Sequence, residues 1–162
     1  MNNNFIFRKA NIRDLKDILR LNFELFKKEY RFDKTLNLNW TYSKEGKKYF
    51  KSRIIRKDCF TEVVEYKGRI IGYLSGSIIK RKKLPQGKKV KSEIESLFIL
   101  KKFRSKGLGT KLVRDFINWS RKNKVDYILI GASIQNKTAI HFYKNFGFKD
   151  YSLIVQLKLS KK

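Results

Sequence analysis

Apolar positions along this chain change period several times, and each change marks an element. Phe5 to Arg8 is a short run predicted as a first strand. From Leu15 the period lengthens. Leu15, Ile18, Leu19, Asn22, Leu25 and Phe26 recur at three- and four-residue steps, which predicts a helix with one buried stripe. Asn11 can cap it, and Asp14 stands where it completes a capping box. Tyr30 to Tyr42 loses the period and is rich in aromatics. Ser43 then caps a second predicted helix, with Tyr49, Phe50, Arg53 and Ile54 on one side. Phe60 to Tyr66 and Arg69 to Ile79 read as strands joined at Lys67-Gly68, a hairpin signal.

In the second half, Glu93 to Leu100 reads as a strand. A helix follows from Leu108, with Leu112, Val113, Phe116 and Ile117 as its apolar side. Tyr127 to Ile130 is a short strand. Asn136 caps a last helix with Ala139, Ile140 and Tyr143 on one face, and Gly147 can take the left-handed conformation that stops it. Tyr151, Leu153, Val155, Leu157 and Leu159 alternate, which predicts a half-buried final strand. No repeat, linker or second domain is visible.

Composition narrows the class. A chain of 162 residues can bury a core as one domain. With 13 Phe, 8 Tyr and 41% hydrophobic residues it is not expected to be disordered despite its charge. No apolar run approaches the roughly 20 residues of a membrane span, so no membrane role is expected. Met1-Asn2-Asn3-Asn4 does not read as a secretory start. The single Cys59 excludes an internal disulfide, fits a cytoplasmic protein and is expected to pack as a small apolar residue. No Cys, His and carboxylate cluster has metal-ligand spacing, so no metal is expected. The lone His141 reads as a surface residue.

The candidate chemistry lies at Arg104-Ser105-Lys106-Gly107-Leu108-Gly109-Thr110, between a strand and a helix. Such a loop aims backbone N–H groups and the positive end of a helix dipole at one spot, as a phosphate requires. Gly107 and Gly109 leave that spot open, and Arg104 and Lys106 add charge. The string G-x-x-x-x-G-K-[ST] of a P-loop does not occur. A dinucleotide fingerprint needs a third glycine where Leu112 stands.

What remains, R-x-x-G-x-G, resembles the pyrophosphate loop of the GNAT acetyltransferase superfamily, which binds acyl-coenzyme A. About thirty residues on, Asn136 to Phe148 resembles the family's second signature: an Asn, a helix carrying Ala and Tyr, then Gly-Phe. The resemblance covers essentially the whole chain and is strongest from Glu93 to Phe148. It implies one α/β (α+β) domain over residues 1–162, with a central mixed, mostly antiparallel twisted sheet flanked by about four helices. It also implies acetyl-CoA as donor and a primary amine as acceptor. Leu97, Phe98 and Ile99 would hold the pantetheine arm through their backbone. Arg104, Ser105, Lys106, Gly107, Leu108, Gly109 and Thr110 would hold the pyrophosphate. Asn136, Ala139 and Tyr143 belong to the second signature, and Tyr143 maps onto the family's general acid toward the sulfur. Packing among Phe142 and Phe146 is the competing reading of Tyr143.

Acyl transfer also needs a group to deprotonate the amine. Glu93 and Glu95 share a face of a predicted strand by its period of two, and family members often use a carboxylate there. Glu95 is preferred, with solvation or pairing to lysines as the alternative for both. Family members that modify protein N-termini often carry a Glu just before the second signature; Ile130-Gly131-Ala132-Ser133 has none. The acceptor would meet the variable segment holding Glu29, Tyr30, Phe32, Asp33, Trp40 and Tyr42.

Charge changes the picture last. Forty Lys and Arg against 14 Asp and Glu give +26. Seven of the twelve residues from Lys80 to Lys91 are basic, a candidate contact for nucleic acid or another polyanion, with base composition of the genome as the plain alternative. An acyl-CoA-binding domain without turnover and a basic nucleic-acid-associated protein on the same fold stay open as other functions. Monomer and homodimer are both compatible.

Overall fold

The computed structural model describes residues 4–79, 89–157 and 159. The elements run β1 (Ile6–Lys9), α1 (Leu15–Glu29), α2 (Lys44–Ile55), β2 (Cys59–Tyr66), β3 (Arg69–Ile78), β4 (Lys91–Ile99), α3 (Leu108–Lys122), β5 (Tyr127–Ile130) and α4 (Lys137–Lys144). Two compact units result, Met1–Gly131 and Ala132–Lys162.

The first unit carries a five-stranded mixed sheet in sequential order, β1 to β5. Its first three pairings are antiparallel, and β4 with β5 is parallel. The predicted hairpin forms at Lys67 and Gly68, both at positive φ. Asn11 and Asp14 close the predicted capping box: Asn11 N donates to Asp14 Oδ2 (2.8 Å), and Arg13 N donates to Asn11 Oδ1 (2.9 Å). Asp14 also binds Arg8 through both oxygens, 2.7 and 2.9 Å, and that guanidinium holds its carboxyl below the usual range.

One face of the sheet packs on α1 and α2. Ile18, Leu19, Leu21 and Leu25 meet Phe50, Ile54, Val63, Tyr73 and Phe98 there. The other face packs on α3, where Phe116 is fully buried against Phe60 (5.5 Å between ring centroids). A Cβ at Gly76 would strike Phe116 and the Glu93 carbonyl, so that glycine lets α3 lie close to the sheet.

β4 contains a bulge. Ser75 pairs with Ser96 but Gly76 pairs with Ile94, so Glu95 is an extra residue. Ser75 faces α2, because Thr61 Oγ1 bonds both Ser75 Oγ and the Arg53 carbonyl (3.0 Å each). Ser96, opposite Ser75, shares that face. Downstream of the bulge Ser96 and Phe98 therefore turn toward α1, where an unbroken period of two would have sent Leu97 and Ile99.

In the second unit Asn136 Oδ1 accepts from Ala139 N (3.2 Å), which starts α4, and Gly147 follows it at φ 89°. The expected final strand from Tyr151 to Leu159 does not form among the described residues: 151–157 make no ladder. Leu153 (71% exposed) and Leu157 (82%) lie open to solvent, as does Ile154 (91%), so the described segment has no buried face. An alternating pattern makes a strand only where a neighbour pairs its N–H and C=O groups, and among the described residues no strand pairs with this segment. The basic run at 80–88 lies outside the described residues. Among the described residues no helix is long and apolar enough to cross a membrane, and no group of three His, Cys, Asp or Glu could hold a metal.

Candidate active site

The end of β4 and the start of α3 form the site. β5 pairs with β4 only from Lys91 to Ile94. On the other edge, β3 pairs as far as Ile99. From Glu95 to Ile99 the β5 side of β4 has no strand partner among the described residues. Along Leu97, Phe98 and Ile99, the backbone groups that point to this edge, at alternate residues, are where an amide-bearing ligand could bind.

Lys101–Phe103 makes one 3-10 turn, and the loop begins at Arg104. Arg104 Nε donates to the Ile99 carbonyl (2.8 Å), and its guanidinium lies 5.2 Å from the Phe98 ring centroid. The loop is thereby tied to the end of β4. Ser105 (φ 59°) and Gly107 (φ 75°) both take the left-handed conformation. α2 and α4 begin on Ser43 and Asn136, whose side chains cap them. α3 begins on Gly107, which has no side chain, and its first turn holds no acid. Its leading N–H groups are uncapped by any side chain and meet no opposing charge, which is what a phosphate needs. Arg104 to Gly107 are exposed, while Leu108 is buried and anchors the helix.

Glu95 projects from the bulge into a polar cluster under α2. Tyr49 Oη and Arg53 Nε donate to its Oε2 (2.6 Å each), and Ser77 Oγ donates to its Oε1 (2.7 Å). Ser77 is also the register partner of Glu93, so the two acids share a face as the strand period predicts. Both of Glu95's oxygens are engaged, and its ion pair is with a guanidinium rather than a lysine. Burial, then the Glu95 charge, push the Tyr49 phenol well up. Arg53 also lies over the Tyr49 ring at 4.3 Å. Tyr49 and Arg53 read in sequence only as one side of an amphipathic helix; the bulge that turns Glu95 toward them depends on β3.

A second polar cluster lies under α1. Asn22 Nδ2 donates to Tyr73 Oη (3.0 Å), and Thr41 Oγ1 donates to Asn22 Oδ1 (2.7 Å). Asn22, Thr41 and Tyr73 are all buried. The signal for it was a polar Asn in the middle of the apolar stripe.

The expected acceptor residues divide. Trp40 stacks on Phe26 (6.0 Å), meets Tyr49 edge-on (5.5 Å) and packs against the core. Asp33 accepts from Thr35 N (2.9 Å) and Oγ1 (2.6 Å), which stabilises a turn. Tyr42 is exposed beside Phe23, Tyr30 lies under Lys34, and Phe32 under Arg31. In the second unit, Tyr143 is buried between Phe142 (5.1 Å) and Phe148 (5.7 Å), with Ala139 one turn before it. His141 is exposed. Cys59 is buried, which pushes its thiol up and away from a nucleophile's range.

A family model described as the acetyltransferase (GNAT) family matches residues 15–148. The chain belongs to the GNAT acetyltransferase family. An uncharacterised N-acetyltransferase of Methanocaldococcus jannaschii is 29% identical over 158 residues, 93% of this chain and 63% of its own length. Streptothricin acetyltransferase A of Bacillus subtilis is 31% identical over 113 residues, 67% of this chain and 65% of its own. The chain thus spans a little under two thirds of the length of these two curated relatives. A predicted acetyltransferase of Clostridium acetobutylicum, solved with acetyl-CoA, shares the fold at TM-score 0.74 and 18% identity, over 95% of this chain and 96% of that one.

Proposed function

We propose that residues 1–162 act as one acetyl-CoA-dependent N-acetyltransferase domain that modifies a primary amine of a small molecule or a protein. The observation that carries this reading is the uncapped, acid-free start of α3 beside the open edge of β4. The neighbour solved with acetyl-CoA supports the same donor. Bound acetyl-CoA would supply an activated thioester. Gly107, Leu108, Gly109 and Thr110 offer N–H groups to its pyrophosphate, with Arg104, Ser105 and Lys106 around them. The backbone of Leu97, Phe98 and Ile99 holds the pantetheine amides. Fixing the thioester in this way makes attack by a bound amine effectively unimolecular. Tyr143 protonates the departing sulfur, and Asn136 and Ala139 build the helix that carries it. Glu95, joined to Tyr49, Arg53 and Ser77, fixes the bulge beside the reacting carbonyl, and Glu93 lies next to it on the same face. Tyr30, Phe32 and Tyr42 border the acceptor, with Trp40 and Asp33 shaping the segment behind them. The single buried thiol suits a cytoplasmic setting.

A thiol-release screen with acetyl-CoA against amino sugars, small amines and lysine peptides tests the reading. Release with at least one class is expected. Binding of acetyl-CoA with no release across the panel would favour an acyl-CoA-binding protein without turnover.

A further inference from the structure

We propose that Glu29, in the last turn of α1, takes the proton from the acceptor amine. The inference rests on the acetyl-transfer reading above. Ile18, Asn22, Leu25 and Glu29 follow one another at steps of four, three and four, so they form one stripe of α1. Ile18, Asn22 and Leu25 are buried on the sheet, and Asn22 bonds Tyr73 of β3. Glu29 continues the stripe at the point where the core ends and the aromatic segment toward the second helix begins. It is half-buried.

Two neighbours locate it. Leu25, one turn earlier on the same stripe, packs in one cluster with Tyr73 and Phe98, which lie opposite each other in the sheet. The adjoining Lys28 ammonium is acted on by Arg104 of the phosphate loop. Glu29 therefore stands between the strand end that holds the donor and the segment that borders the acceptor.

Its lack of partners is unusual in this chain. At a net charge of +26, nine described carboxylates pair with a cation within 4.0 Å, Glu24 on the same helix among them. The Glu29 side chain forms no ion pair or hydrogen bond among the described residues. Glu95 accepts three hydrogen bonds, one of them from a guanidinium. A base must have an oxygen available for a proton; among the described residues both Glu29 oxygens are free of hydrogen bonds, whereas both Glu95 oxygens are engaged. Burial pushes its carboxyl up, against the pull of Lys28 on its own helix, and its charge also reaches the buried Tyr73 phenol. A raised carboxyl is a better proton acceptor at neutral pH.

The exchange balances. One ammonium and one acetyl thioester give one amide, one thiol and one proton. Glu29 accepts a proton from the amine nitrogen; the freed lone pair forms the C–N bond as the C–S bond breaks. The second nitrogen proton ends on the sulfur, and Glu29 later releases its own to solvent.

Three variants and one titration test this. Glu29→Gln should lower kcat/KM for the amine by about 100- to 10,000-fold at pH 7, with KM for acetyl-CoA little changed. The loss should shrink as pH approaches the amine's own pKa. Glu29→Asp should restore part of the rate, and Glu24→Gln should match the wild type. By carboxyl-carbon NMR, the Glu29 signal in the wild type should titrate above the ordinary glutamate value of about 4.3. Wild-type turnover with an unchanged Glu29→Gln pH profile, or a Glu29 signal titrating in the ordinary range, would overturn the assignment while leaving acetyl transfer intact. Absence of wild-type turnover with every amine would instead overturn the acetyl-transfer reading, and the role given to Glu29 with it.

Discussion

A side chain at Gly107 separates the cofactor seat from the fold that carries it. Apart from its own chain neighbours, no described atom stands within 4 Å of a Cβ built there, so a side chain at this position points into open space. The cost to the fold is backbone strain alone. Gly107 has φ 75°, and a side-chain-bearing residue held there loses roughly 1–3 kcal/mol. At about 2–4 °C per kcal/mol for a chain of this size, Tm should fall by about 2–12 °C. The cost to binding is larger. The new side chain occupies the space in front of the uncapped N–H groups of α3. Each hydrogen bond to a charged group contributes about 1.5–3 kcal/mol, so losing two weakens binding by about 3–6 kcal/mol, more than ~100-fold. Thermal melting and calorimetric titration with acetyl-CoA on the same preparation measure both. A folded Gly107→Val protein that binds acetyl-CoA as the wild type does would refute the placement of the pyrophosphate.

The remaining expectations are more compact. Tyr143→Phe removes only a hydroxyl, so turnover should fall about 10- to 1000-fold with acetyl-CoA affinity kept, and equal turnover would reduce Tyr143 to packing between Phe142 and Phe148. Glu95→Gln strips the half-buried Arg53 of its ion partner, so it should cost roughly 1–3 kcal/mol of stability in denaturant unfolding, with no recovery of activity at high pH. Glu62 on β2 has its carboxyl pushed up from 4.5 to about 7, first by burial and then by Asp115 on α3. Its folded form holds the proton longer than its unfolded form, so its own contribution to stability is full below about pH 4.5 and is lost as pH rises through about 7. Glu62→Gln should remove about 1–2 kcal/mol of that decline, after allowance for solvent screening, and parallel stability–pH curves for the two proteins would contradict it.

The parts of the site that were legible in the sequence are the local ones. Ser43 and Asn136 mark helix starts because a cap needs only its own turn. Lys67-Gly68 marks a hairpin for the same reason. The Arg104–Thr110 loop is contiguous, so its spacing states its geometry. The bulge at Glu95 was not legible. It comes from a mismatch with Ser75 and Gly76, some twenty residues away, and it decides which side chains downstream reach α1. Aromatic content alone does not tell a binding wall from a core contact, so the packing of Trp40 on Phe26 and Tyr49 was not legible in the sequence. Tyr151 to Leu159 alternates as a strand does, yet alternation carries no information about a pairing partner.

Calorimetric titration of acetyl-CoA into the full chain, with acetylpantetheine as the comparison ligand, tests the central claim most directly. The account predicts a Kd in the micromolar range, about −7 to −8 kcal/mol, and at least ~100-fold weaker binding of the ligand that lacks the pyrophosphate. Equal affinity for the two ligands, or no heat with acetyl-CoA, would contradict it.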